Sequence, residues 1–309
     1  MPFATTDLCS SLADIAAQAR PHATEGEVAR HVPGMAPLGS ERFAMAVHGI
    51  DGASESIGDT DETFPIQSVS KVLSLVLALQ KVGEDELWER VGREPSGDPF
   101  NSLVQLEHEQ GIPRNPMINA GALVVDDVLL EACGDATSEL HELVEELVGA
   151  PLELDDEIVD GQSDSGFRNR AMASLMRAFG NLHHPVDDVI GVYVRHCAIR
   201  MTTPQLAAAF RFLANDGVEP RTGRRILSEQ LARRVNAVML TTGTYDAAGE
   251  FAYQVGFPCK SGVSGAIVGV VPDHLAVAVW SPPLDDSGNS LAGREALHLV
   301  AERHGLSIF

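Results

Sequence analysis

Apolar and polar positions change period twice along this chain. Arg42-Phe43-Ala44-Met45-Ala46-Val47 reads as a short apolar strand, followed by the turn residues Gly49, Asp51 and Gly52, with Ser56-Ile57 as its hairpin partner. From residue 68 to residue 240 the helical period dominates. It predicts helices over 122–132, 138–148, 169–179, 186–197, 203–214 and 228–240. Within that region Val72-Leu73-Ser74-Leu75-Val76-Leu77-Ala78-Leu79 is apolar on nearly every face, the pattern of a helix enclosed by the rest of the fold. After Leu240 strands return over 266–271 and 275–280, separated by Pro272-Asp273-His274, and 291–304 closes as a helix. Strands from the two ends of a chain can share one sheet. The expectation is an α+β fold: an antiparallel sheet built from about 1–67 and 241–309 and flanked by helices, with a large helical region, about 68–240, inserted between them.

The chemistry begins with lysine. Of 22 Lys and Arg residues only three are lysine, and two of those sit beside serines, in Ser68-Val69-Ser70-Lys71 and Lys260-Ser261-Gly262. Arginine keeps its proton at any ordinary pH, whereas a desolvated lysine can release one. Ser-Xaa-Xaa-Lys early and Lys-Ser/Thr-Gly late are the paired signature of serine hydrolases of the β-lactamase and penicillin-binding kind. Either half alone is a weak signal, and a serine N-cap before a surface lysine would give the first by chance. Context favours chemistry. Phe64-Pro65-Ile66-Gln67 reads as an extended lead-in, since proline disfavours helix in the residue before it, and a helix follows over 69–80. Ser68 then opens a buried helix with Lys71 on the same face one turn on. Burial and the positive end of the helix both disfavour the ammonium, leaving an amine able to take the Ser68 proton.

Composition bounds the rest. With 44% hydrophobic and 21% charged residues the chain is globular, and its net charge of −22 argues against nucleic-acid or acidic-membrane partners. Met1-Pro2-Phe3-Ala4-Thr5-Thr6-Asp7 has no signal-peptide pattern, and Cys9, Cys133, Cys197 and Cys259 lie far apart as reduced thiols would, so a cytoplasmic location is expected. Cys259 stands beside Lys260, but no ordered His and Asn partners mark it as a nucleophile. His183-His184 and His196-Cys197 lack metal-ligand spacing, and no phosphate loop or dinucleotide fingerprint occurs. Neither metal nor cofactor is expected.

Longer motifs narrow the reading. Phe64-Pro65-Ile66-Gln67-Ser68-Val69-Ser70-Lys71, Glu94-Pro95-Ser96-Gly97-Asp98-Pro99-Phe100-Asn101-Ser102, Pro116-Met117-Ile118-Asn119-Ala120-Gly121-Ala122 and Gly166-Phe167-Arg168-Asn169 occur in order. They are followed by Thr242-Gly243-Thr244-Tyr245-Asp246-Ala247-Ala248-Gly249-Glu250-Phe251-Ala252 and Val255-Gly256-Phe257-Pro258-Cys259-Lys260-Ser261-Gly262-Val263. Nearly end to end, the chain resembles the serine-dependent glutaminases, which have a β-lactamase/transpeptidase-like fold and hydrolyse L-glutamine to L-glutamate and ammonia.

The resemblance implies one catalytic domain over 1–309, with Ser68 as nucleophile, Lys71 as proton acceptor and Tyr245 assisting the relay. It further implies an oxyanion hole from the backbone N–H groups of Ser68 and Val263, and support from Lys260, Ser261 and Gly262. Asn119, Asn169 and Tyr193 match positions that hold the amino-acid end of the substrate. Assembly as a homodimer or homotetramer is implied as well.

Two positions depart from the family. A glutamate that faces the substrate α-ammonium is here Gln162, and the family's Tyr-Ile-Pro is His31-Val32-Pro33. Exchanging a carboxylate for an amide forfeits roughly 1.5–3 kcal/mol of ammonium binding unless Asp160 or Asp164 compensates. A related primary amide with weaker α-amino recognition is therefore an alternative substrate. A β-lactamase or penicillin-binding activity is a second alternative, although Asn119-Ala120 departs from the Ser-Asp-Asn motif of those enzymes.

Overall fold

The computed structural model describes residues 4–30, 32–35, 38–96, 103–161 and 166–309; His31, residues 97–102, Gln162 and Asp164 lie outside them. Eight strands are present among the described residues: β1 (Ala44–Gly49), β2 (Ser54–Gly58), β3 (Phe64–Pro65), β4 (Glu153–Leu154), β5 (Ile199–Met201), β6 (Cys259–Ser261), β7 (Ala266–Val271) and β8 (Leu275–Trp280). Five of them make one antiparallel sheet in the order β2-β1-β8-β7-β6, drawn from both ends of the chain as the pattern predicts. β1 meets β8 with Ala44 opposite Trp280 and Gly49 opposite Leu275, and β7 carries β6 on its other side with Lys260 opposite Val268.

Residue parity divides the sheet between two cores. Met45, Val47, Ile267, Val277 and Val279 face α1 (Thr5–Ala19) and the C-terminal helix Leu291–His304, while Ala44, Ala46, Val268, Val270 and Ala278 join the core of the helical region. Both faces are covered, which is why β7 and β8 read as continuous apolar runs and not as alternating ones.

The helical region contains α2 (Ser70–Lys81), α3 (Gly83–Arg90), α4 (Leu103–His108), α5 (Asn119–Cys133), α6 (Ala136–Val148), α7 (Asp156–Asp160), α8 (Phe167–Ala178), α9 (Val186–Cys197) and α10 (Thr203–Ala214). After it come α11 (Glu229–Thr242), α12 (Ala248–Gln254) and α13 (Leu291–His304). At its centre lies α2, buried at every residue from Ser70 to Leu79 and packed by α5, α6, α9 and α11. α10 opens with a reciprocal cap between Thr202 and Gln205 and lies against β1, β7 and β8.

Three features differ from the sequence reading. α1 has an apolar stripe of Leu8, Leu12, Ile15 and Ala19, but Ala4 at its start supplies no capping side chain to mark it. The region 68–240 is not wholly helical: β4 and β5 lie inside it and join β3 in a second sheet of order β3-β5-β4. Two- and three-residue strands are too short to show a period of two. Finally, the lead-in to Ser68 is extended only over Phe64–Pro65, because Ile66 is already helical and Gln67 has φ +48°.

Phe64 of the small sheet stacks on Trp280 of the large one, with ring centroids 4.9 Å apart and planes 12° from parallel, and the indole N–H donates to the Ser264 carbonyl at 3.0 Å. This contact ties the segment leading into Ser68 to β8. Trp280→Ala should lower the unfolding free energy by about 3–5 kcal/mol, read from the urea midpoint. Trp280→Phe, which keeps an aromatic ring there and loses the hydrogen bond, should cost about 1–2 kcal/mol.

Candidate active site

Ser68 lies in a single 3-10 turn, Gln67–Val69, between β3 and α2, so it precedes the buried helix and is not its first residue. The turn is tied down on both sides. Ile66 N–H donates to the Ile199 carbonyl on β5 at 2.8 Å, and the Ser70 hydroxyl donates to the Gln67 carbonyl at 2.8 Å. The left-handed backbone of Gln67 is strained for a residue with a Cβ, a cost of order 1 kcal/mol that the surrounding bonds must hold. On the other side, Gly262 approaches so closely that a Cβ there would meet the Ile66 carbonyl at 2.8 Å.

Lys71, one turn after Ser68, is the second residue of α2 and is 2% exposed. Its Nζ donates to Asn119 Oδ1 at 2.6 Å and to the Met117 carbonyl at 3.3 Å, and lies 5.8 Å from the centre of the Tyr193 ring. Burial pushes the amine down to about 8, against weaker opposing effects of Cys197 and Asp126. The loop before α5 is locked by Asn115, whose Oδ1 accepts from the N–H groups of Met117 and Ile118 and whose amide donates to the Glu94 carbonyl. Asn119 therefore starts α5 with its amide aimed at Lys71. Its Nδ2 donates to Asn169 Oδ1 on α8 at 3.1 Å, linking Lys71, Asn119 and Asn169 into one chain. Lys81 behaves as the spare lysine should: it is at the surface, paired with Glu139 at 2.8 Å.

From the opposite side Tyr245 and Lys260 converge on a single acceptor. The Ser261 carbonyl receives the Tyr245 phenol at 3.1 Å and Lys260 Nζ at 2.6 Å, and Lys260 also donates to the Gly243 carbonyl at 3.0 Å while lying 4.7 Å from the centre of the Tyr245 ring. Tyr245 is itself left-handed, at φ +56°. Burial pushes its phenol up to about 12, moderated by a hydrogen bond with Ser68. A phenol has one proton, and Tyr245 gives it to Ser261, so Ser68 is the donor in their shared bond. Lys260 is pushed well below the ordinary lysine range by burial and then by Lys71.

Ser68, Lys71, Asn119, Asn169, Tyr193, Tyr245, Lys260 and Ser261 are thus brought together by contact, with Gly262 against the Ser68 turn. Val263 follows it, and its N–H meets no backbone acceptor among the described residues. His31 and Gln162 cannot be placed, lying outside those residues. A cavity of about 460 Å³ is lined by Tyr245 with Ser96, Asn115, Met117, Thr241 and Asp246, and by neither Ser68 nor Lys71. Cys259 is buried against the Phe257 carbonyl with its thiol pushed up by burial, so it is a core residue.

Sequence reasoning misses three contributors. Gln67 Nε2 is buried with no partner among the described residues and stands next to Ser68, a polar group available to a ligand. Asn289, fully buried, accepts from the Ser261 hydroxyl at 2.5 Å and donates to the Thr244 carbonyl at 3.2 Å, pinning the residue before Tyr245 to β6. Cys197 on α9 hydrogen-bonds with Tyr193 and Ser70, and burial pushes its thiol up to about 11. Only the position of Gln67, directly before the motif serine, is a signal that sequence carries.

Comparison with known proteins gives a consistent result. The family model described as glutaminase matches residues 26–309. The chain is 50% identical over 307 residues to a glutaminase of Methylobacterium sp. (strain 4-46), covering 98% of this chain and 99% of the relative. The crystal structure of a probable glutaminase from Bacillus subtilis superposes with a TM-score of 0.90 at 33% identity, covering 98% of both chains. A second Bacillus subtilis glutaminase structure, a covalent complex with 5-oxo-L-norleucine formed by reaction with 6-diazo-5-oxo-L-norleucine, superposes with a TM-score of 0.86 at 31% identity over 97% of this chain and 99% of that one.

Phosphonylation of Ser68 by a fluorophosphonate, with loss of fluoride, should slow as pH falls through about 8, where Lys71 gains its proton, and level off above it. Lys71→Arg, which cannot be deprotonated, should abolish labelling across that range, as measured by intact-protein mass spectrometry.

Proposed function

The chain belongs to the glutaminase family, and from that premise we propose that it hydrolyses the side-chain amide of L-glutamine to L-glutamate and ammonia through a glutamyl ester on Ser68. The observation that carries this is the buried amine of Lys71, pushed down to about 8, one turn from Ser68. A neutral amine has two N–H donors and one lone pair. In the neutral form Asn119 and Met117 take both donors, which leaves the lone pair to accept the Ser68 proton once that hydroxyl swings away from Tyr245.

In this reading Ser68 Oγ attacks the amide carbon and Lys71 accepts its proton. The developing oxyanion is met by the backbone N–H groups of Ser68 and Val263. Tyr245, already bonded to Ser68 and kept protonated by burial, supplies the proton to the departing nitrogen and recovers one from Lys71. Ammonia leaves, water attacks the ester with Lys71 taking its proton and passing it to Ser68 Oγ as the ester bond breaks, and glutamate is released with the serine restored. Asn119, Asn169 and Tyr193 hold the amino-acid end. Lys260, Ser261 and Gly262 keep Tyr245 and the Ser68 turn in register. The covalent complex formed by the Bacillus subtilis relative supports the ester, since its ligand carries a carbonyl where glutamine carries its side-chain amide.

The chain acts as one catalytic domain in the cytoplasm, without cofactor, as a homodimer or homotetramer. Exposed Phe167 and Val104, on the adjacent α8 and α4, are apolar surface suited to such assembly. No described helix is long and apolar enough to cross a membrane.

A second reading rests on Gln162 and His31: a primary amide without a free α-amino group as the preferred substrate. Ammonia release from L-glutamine, L-asparagine and 4-carbamoylbutanoate, with Ser68→Ala as blank, separates the two. Saturable glutamine turnover that is lost in the variant supports the glutaminase. A higher kcat/KM for the deaminated amide establishes the second reading, and no turnover of any of the three rejects both. In the glutaminase reading, Asn169→Ala should raise KM for glutamine by about tenfold or more through loss of a bond to the ligand.

A further inference from the structure

Behind the site lies a second polar layer that the reaction above does not use. α2, α5 and α9 each supply one residue to the first layer, in Lys71, Asn119 and Tyr193, and each supplies another one or two turns further along. Those residues are Ser74, Asp126 and His196. His196 Nδ1 lies 3.0 Å from Asp126 Oδ1 and 3.1 Å from the Ser74 hydroxyl, while Nε2 lies 3.2 Å from the Ala136 carbonyl. All three are 2–3% exposed, so no substrate reaches Ser74 and the trio is not a second nucleophilic site.

Hydrogen-bond chemistry fixes the proton count. The Ala136 carbonyl only accepts, so Nε2 carries a hydrogen. Nδ1 and Asp126 Oδ1 then need one proton between them, and the pair is neutral as a whole with its carboxylate end toward Lys71. Burying such a pair rarely adds stability over apolar residues of the same size, so stability does not explain it.

We propose that the buried Asp126–His196 pair, clamped to α2 through Ser74, is a positioning element of the reaction: it sets how readily Lys71 takes up a proton. This rests on the reading of Lys71 as the proton acceptor. The groups that face Lys71 from each packed element single out Asp126. Tyr193 and Cys197 of α9 are kept uncharged by burial, Lys260 of β6 is pushed down by burial and can only oppose the ammonium, and Ser68 and Ser70 precede Lys71 on its own segment. Asp126 of α5 is the one carboxylate among the described residues that acts on the Lys71 amine, and it favours the ammonium.

The test is the pH profile of kcat/KM for L-glutamine, with thermal melting to verify folding. Asp126→Asn keeps the shape and removes the charge; its acid limb should move to lower pH by about half a unit or more. His196→Gln leaves the carboxylate with a neutral partner and should move the limb to higher pH. Opposite shifts in the two variants support the proposal, and the shift in either one suffices if the other does not fold. A limb that stays in place while the plateau falls makes the pair merely structural and overturns it. Should the wild-type profile show no acid limb near pH 8, the proposal falls together with the role of Lys71, a result distinct from an unmoved limb.

Discussion

A lysine amine kept dry against a serine, and so ready to lose its proton, is the constraint on which the remaining architecture depends. Holding Lys71 near 8 means that burial disfavours its protonation by roughly 3 kcal/mol relative to water. That demands a helix with no wet face, and α2 meets the demand by being enclosed on every side by α5, α6, α9 and α11. The sheet and its outer helices close the far side, so the two cores serve the same end. A surface helix carrying the same Ser-Xaa-Xaa-Lys would hold only an ordinary ammonium, as Lys81 does at the other end of α2.

The second organising device is one carbonyl group. Ser261 O accepts from both Tyr245 and Lys260, which fixes the phenol proton away from Ser68 and leaves the phenol oxygen as an acceptor. Asn289 holds the same residue by its hydroxyl and reaches back to Thr244. Strain is placed accordingly. The two left-handed residues of the site, Gln67 and Tyr245, flank Ser68 from opposite sides, each held by bonds to neighbouring segments.

What was legible in the sequence follows from range. β7, β8, α9, α10 and α13 match their predicted limits because a long period states them locally, and the Ser68–Lys71 spacing is a local fact of one helical turn. Tyr245, Asn119 and Asn169 became visible through long motifs and not through any local rule. The 3-10 turn at Gln67 contradicts the expected extended lead-in because ties to Ile199 and Gly262, both distant in the chain, override the preference that Pro65 sets only for its predecessor. Asp126 and His196 read as unremarkable helix positions. Their significance is the coincidence of one face on each of three helices, and pairings of that kind have no signature along a single chain.

The sheet that receives β1 from one end of the chain and β6 to β8 from the other has a consequence for biosynthesis. The nucleophile turn leaves the ribosome about 190 residues before the Lys260 strand that completes its surroundings. Contacts of such separation form late, because closing the loop between them has to precede any gain from joining them. A nascent chain therefore exposes Ser68 and Lys71 in water for most of its synthesis, where the lysine is charged and the serine inert. The dry surroundings of Lys71 are therefore complete only once the final strands dock.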